Sequence, residues 1–148
     1  MTERQKPHAR DYFAAFVPVT TRWHDNDVYG HVNNVIYYGF FDTAVNQLLM
    51  EAGVLNPASS STVGLVVETR CTYVASIAFP DRIEVGVRVE NLGRSPVRYI
   101  LGIFKQGRAA ACAQGAFTHV YVDRATQKPV PVPDPVRAVL AKLTGPNS

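Results

Sequence analysis

Between Val35 and Ala52 the chain reads VIYYGFFDTAVNQLLMEA, with Ile36, Phe40, Ala44, Leu48 and Ala52 four apart and Phe41, Val45 and Leu49 as a second ridge beside them. That spacing is helical. The apolar stripe is too broad for a surface helix, so something wide must wrap around it. The rest of the chain supplies the wrapping. In DRIEVGVRVENLG, residues Ile83, Val85, Val87 and Val89 alternate with Arg82, Glu84, Arg88 and Glu90, the period of a half-buried strand. VGLVVETRCTYV before it, and VRYILGIFK and AAACAQGAFTHVYVD after it, read as further long strands, and YFAAFVPVTTRW reads as a first strand ahead of the helix. Alanine and glycine crowd the start of the last strand, so another element must approach the sheet closely there. Asn33 or Asn34 suits the N-cap of the long helix and Gly53 its end, while Asp134 and Pro135 mark the N-cap and first position of a short helix after a proline-rich link.

The expected fold is therefore α+β, with a five-stranded antiparallel sheet wrapped around one long helix and a short C-terminal helix, as a single domain over 1–148. The first strand can join that sheet only across the helix. One uncovered face and two open edges favour a homodimer by edge-to-edge pairing, or a homotetramer through the outer faces.

Charge narrows the partners. With 15 Lys and Arg against 12 Asp and Glu, and the basic residues scattered, nucleic acid is not the expected partner. A mild positive field suits a small molecule that carries phosphate. Cys71 and Cys112 read as two reduced thiols. The opening MTERQKPHARD has no apolar core for a signal peptide, and no apolar run reaches membrane-spanning length, so the cytoplasm is expected and no membrane. Nothing in the composition requires a cofactor.

Ahead of the long helix stands HDNDVYGHVNN, His24 to Asn34. Free N–H groups and the positive end of the macrodipole meet at a helix start. Gly30 lets the backbone come close to a ligand. Asp25 or Asp27 can face the same point. A carboxylate beside oxyanion-binding amides is the minimum equipment for attack on an acyl carbon, directly or through water. A loop of Asx turns, whose acids only hold backbone amides, would use the same residues. A metal site of His24, Asp25, Asp27 and His31 fits no zinc spacing and leaves both asparagines without a part.

The stretch DNDVYGHVNNVIYYGFFDTA resembles the signature of hotdog-fold acyl-CoA thioesterases, the branch typified by 4-hydroxybenzoyl-CoA thioesterase. The pattern D-x-D-x-x-G-x-V-x-N/H is met by Asp25, Asp27, Gly30, Val32 and Asn33/Asn34, followed by Tyr37, Tyr38 and the Asp42–Ala44 step. VENLGRSPVRYILGIF and AFTHVYVDRATQKPVPVP are similar to the family's later strands and tail. The resemblance implies hydrolysis of an acyl-CoA at the dimer interface. It places the catalytic carboxylate on Asp27 and the carbonyl-polarising main-chain amide on Asn34.

Asp25 is then expected to cap or orient the loop, and His24 to be structural. His31 is expected to bond Asp27, touch the thioester or close the loop. Gly30, Asn33, Tyr37 and Asp42 are expected to border the substrate, Asp42 alternatively pairing with a basic residue of the sheet. Arg88, Arg94 and Lys105 are candidates for the coenzyme A phosphates. Glu68, in a strand of apolar residues, is expected to find a partner across a subunit contact. Two other activities use such a loop: an enoyl-CoA hydratase or dehydratase, which needs His31 in the pocket with an acid, and a non-catalytic acyl-CoA binder.

Overall fold

Strands that are neighbours in sequence end up at opposite edges of the sheet. The computed structural model describes residues 6–145; residues 1–5, the beginning of the polar lead, and 146–148 lie outside it. β1 (Ala15–Thr20) leads to α1 (Ile36–Glu51), and then come β2 (Thr62–Tyr73), β3 (Arg82–Leu92), β4 (Pro96–Lys105), β5 (Ala111–Asp123) and α2 (Asp134–Ala141). The five strands form one antiparallel sheet in the order β1-β3-β4-β5-β2. α1 crosses its inner face between the two edges, as the wide stripe requires. The boundaries follow the sequence closely, but the first strand is shorter than the Tyr12–Trp23 run.

The C-terminal stop of α1 is as expected but the N-caps are not: Val35, with no side-chain bond, caps α1 in place of Asn33 or Asn34, and Pro133 caps α2, with Asp134 and Pro135 inside its first turn. Asn33 Oδ1 accepts the Val35 N–H at 3.0 Å in the turn that enters α1. At the other end Gly53 takes φ +76°, its N–H donates to the Met50 carbonyl, and the Val54 N–H reaches Leu49. These two bonds form a Schellman stop.

Burial follows the alternation. Ile83, Val85, Val87 and Val89 face α1 together with Val97, Tyr99, Leu101 and Ile103 of β4, all buried. Gly115 of β5 is explained by Phe41 of α1: a Cβ there would overlap its ring and the Arg70 carbonyl.

The outer face is not bare, which the sequence reading missed. Tyr12 and Phe13 leave the strand and fold over that face, where Phe13 is fully buried with Ile100, Phe104, Ala111 and Ala116. Gly86 and Gly102 make room for its ring, since a Cβ on either would come within 2.7 Å of it. Arg10 holds the segment down, with Nη2 at 2.9 Å from Glu84 Oε1 and the guanidinium over the Phe104 ring. Cys71 is half-buried, Cys112 is buried, and both are free thiols. No helix among the described residues is long and apolar enough to cross a membrane.

Candidate active site

The loop between β1 and α1 is a small pinned hairpin. Asp25 is buried to 1% and accepts three bonds from Arg22: backbone N–H at 2.8 Å, Nη2 at 2.9 Å and Nε at 3.2 Å. Its own carbonyl takes the Asn33 N–H at 2.8 Å. Asn26 and Val32 form a bridge, and the Asp27 N–H donates to the His31 carbonyl at 2.9 Å. Gly30 closes the turn at φ +81° by donating to the Asp27 carbonyl, leaving Val28 and Tyr29 exposed at its tip. The loop is tied to the segment after β2 through Val32 N–H to the Ile77 carbonyl and Phe79 N–H to Asn26 Oδ1.

Asp27 stands half-buried at the base of this hairpin, and its Oδ1 accepts the Tyr29 N–H at 2.9 Å. That bond is an Asx turn, and it leaves the rest of the carboxylate available. Asp27, His31, Asn34 and Tyr37 border one open cleft of about 440 Å³, closed on its far side by Tyr73 to Ser76.

At the start of α1 the donors divide unevenly. The N–H groups of Asn33, Val35 and Ile36 are all occupied, whereas the Asn34 N–H has no partner among the described residues. The open main-chain donors of this turn, those of Asn34 and Tyr37, therefore belong to residues that border the cleft. The positive end of the 16-residue α1 lies behind them.

Tyr73 was not singled out by the sequence. Its hydroxyl donates to the Asn34 carbonyl at 2.8 Å, and its ring stands edge-on to Tyr37 at 4.9 Å. Burial pushes the Tyr37 hydroxyl up to about 12 and raises that of Tyr73 as well, so both stay neutral near pH 7. A tyrosine at a strand end signals nothing by itself; only the pairing of β2 with β5 carries it under α1.

Other expected site residues lie elsewhere. Gly30 and Asn33 are outside the cleft lining: Gly30 closes the hairpin turn, and the Asn33 side chain holds the Val35 N–H. Asp42 is exposed on α1 outside the cleft lining; partial burial raises its carboxyl above the ordinary value, and it has no ion-pair partner among the described residues. Arg88 stacks on Tyr12 on the outer face at 4.2 Å and donates to the Tyr12 carbonyl. Lys105 is at the cleft's end of the sheet but faces Asp81 at 3.6 Å. Arg94 sits exposed in the β3–β4 turn at the opposite end. Glu68 is exposed and meets Arg98 of its own chain at 3.3 Å, so the expected subunit contact is not needed to satisfy it.

An acid and a free helix-start amide facing one cleft can attack and polarise a carbonyl. The family model that matches residues 21–140 is that of the thioesterase-like superfamily. The chain belongs to this superfamily. The PA5185 protein of Pseudomonas aeruginosa strain PAO1 is similar over nearly its whole length: 49% identity, 97% of this chain and 100% of that one, TM-score 0.93. A gentisyl-coenzyme A thioesterase, BH1999, shares 24% identity over 85% of this chain and 99% of its own, at TM-score 0.73. Slr0204, a 1,4-dihydroxy-2-naphthoyl-CoA thioesterase of Synechocystis, shares 16% over 86% and 96%, at TM-score 0.79. At these lower identities the likeness concerns the fold, which is the hotdog fold of this superfamily.

Proposed function

We propose that this thioesterase-like protein hydrolyses an acyl-CoA thioester in the Asp27 cleft, in the manner of the 4-hydroxybenzoyl-CoA branch that its loop resembles. The observation that supports this most is the unpartnered Asn34 N–H bordering the same cleft as the Asp27 carboxylate. The thioester carbonyl oxygen accepts the Asn34 N–H. Asp27 takes a proton from water, whose oxygen adds to the carbonyl carbon, and the negative charge that develops falls on the oxygen facing the helix start. The C–S bond breaks, the thiolate of coenzyme A leaves with the proton held by Asp27, and the free acid remains. In the alternative use of the same groups, Asp27 attacks the carbon itself, the C–S bond breaks to release the coenzyme A thiolate, and water then cleaves the resulting anhydride to the free acid and the Asp27 carboxylate. His31, exposed beside Asp27, borders the path of the leaving thiol.

The working unit in this reading is a dimer. β2 is an edge strand, and Leu65, Val66 and Val67 are 40%, 46% and 62% exposed along it. A second copy adding its own β2 antiparallel would cover them and lay the start of one β2 beside Tyr73 of the other. Arg94 would then reach coenzyme A phosphates only from the second copy, with Lys105 serving from the same chain, while Arg88 is engaged by Tyr12. The aromatic acyl groups named for BH1999 and Slr0204 come first among substrates to try.

Release of free thiol from a panel of aromatic, short-chain and long-chain acyl-CoAs tests the proposal. Asp27→Asn is expected to keep the melting temperature and lower turnover about 10²–10⁴-fold. Hydrolysis near the wild-type rate in that variant would refute the assignment.

A further inference from the structure

A second, more enclosed cavity of about 420 Å³ lies at the other end of α1, between the helix, the start of β2 and the end of β5. Its volume is that of a small-molecule pocket. Leu49, Val54, Leu55 and Val136 make the walls apolar. Asn46, Thr62, Tyr121, His119 and Arg124 break that surface with polar groups, and the last two mark its wall and its rim. His119 is only 4% exposed, yet its Nδ1 has no partner, and a Cβ on Gly64 would stand 3.0 Å from it. Burial lowers its pKa to about 4, so the ring is neutral near pH 7. A buried acceptor without a partner costs less than a buried N–H without one, so the sealed Nδ1 is the bare nitrogen and Nε2 carries the proton. No residue among those described accepts that proton, and the ring is part of the cavity wall. Arg124 stands exposed on the cavity's rim; it gives one bond to the Ser60 carbonyl at 3.3 Å and forms no ion pair among the described residues. Its acidic neighbour Asp123 is turned to the Ala125 and Thr126 N–H groups.

A largely apolar chamber with a cation at its rim and an unpartnered imidazole in its wall describes its occupant. We propose that this cavity binds a small carboxylic acid with an apolar body and a hydroxyl at its far end, the carboxylate meeting Arg124 and the hydroxyl oxygen accepting from His119. Arg124 lies in the turn just past the end of β5, five residues beyond His119, so the two Cα atoms are at most about 16 Å apart before the side chains reach inward. That span suits one ring or a short chain. The site does not depend on hydrolysis in the Asp27 cleft, because its ligand is tested with no thioester present.

The probe is 4-hydroxyphenylacetate, titrated into the full chain and followed by calorimetry and backbone amide shifts. Phenylacetate lacks the hydroxyl, and 2-(4-hydroxyphenyl)ethanol lacks the carboxylate. We expect saturable shifts at Val54, Leu55 and Gly64, with each control at least about tenfold weaker. His119→Phe should abolish the preference over phenylacetate. Arg124→Gln, an exposed change that leaves the core intact, should abolish the preference over the alcohol. Equal binding of all three probes, absence of shifts at these amides at about 10 mM probe, or shifts confined to Asp27 and His31 would each overturn the proposal.

Discussion

The Tyr73 hydroxyl donates to the Asn34 carbonyl at 2.8 Å, and so ties the last residue of β2 to the first turn of the central helix. The bond fixes the plane of the peptide next to the open Asn34 N–H of the cleft. Tyr73 thus positions the loop without carrying the chemistry itself. Tyr73→Phe keeps the ring against Tyr37 and removes only that bond, so it should lower stability by about 0.5–1.5 kcal/mol. If the same energy is lost in the transition state, kcat falls about 2–12-fold with little change in KM. Steady-state kinetics beside a denaturant melt would separate the two effects.

Asp25 and Asp27 should part company under mutation. Asp25 is buried and saturated by Arg22. Asp25→Ala leaves the Arg22 N–H without its acceptor and should cost about 0.5–2 kcal/mol, seen as a drop of several degrees in Tm by calorimetry. Asp27→Asn should leave Tm in place while turnover collapses. A large loss of stability from Asp27→Asn would mean that this acid serves the loop alone.

Edge pairing through β2 gives a third expectation. Val66 lies midway along the exposed edge. Val66→Lys sets two like charges close together across a two-fold edge, and should shift a dimer toward monomer in sedimentation equilibrium at micromolar protein. Turnover should fall with it if the cleft needs the second copy.

Acid should find one weak point in the inner core. Burial lowers His119 from its ordinary 6.5 to about 4, so between those values the unfolded chain binds a proton that the folded one refuses. Stability from this residue is complete above pH 6.5 and declines as pH falls toward 4, by up to about 3 kcal/mol. Tyr99, edge-on to the ring at 5.5 Å, and Tyr121 stay neutral throughout, because burial raises both. Urea melts at pH 7, 5.5 and 4.5 on the wild type and on His119→Phe check this; the variant should show a flatter dependence.

Much of this was legible because the chain is periodic. Ile83 to Val89 alternates and was read with its correct face; the four-residue repeat of α1 placed Phe40, Phe41, Ala44, Val45 and Leu49 in the core but not Tyr37, and Ala52 is exposed. Asp27, Gly30, His31 and Asn34 sit in one short loop, so the sequence alone could group them. What escaped is long-range. Phe13 looked like a strand residue, because nothing local says that Gly86 and Gly102, each far along the chain, leave a slot for its ring. Tyr73 looked like any strand aromatic until β2 was placed beside β5. Arg88 looked available until the Tyr12 ring was found beneath its guanidinium.

The order of strands also bears on how the chain is made. β3, β4 and β5 form a meander of local turns, while β1 and β2 each add to it from outside. During synthesis, β1 and α1 leave the ribosome long before the surface they dock on exists, and β2 waits for the last strand. β1 is therefore a passenger until β3 is made and β2 until residue 123 is out of the exit tunnel, and chains released early should depend on chaperones for their survival.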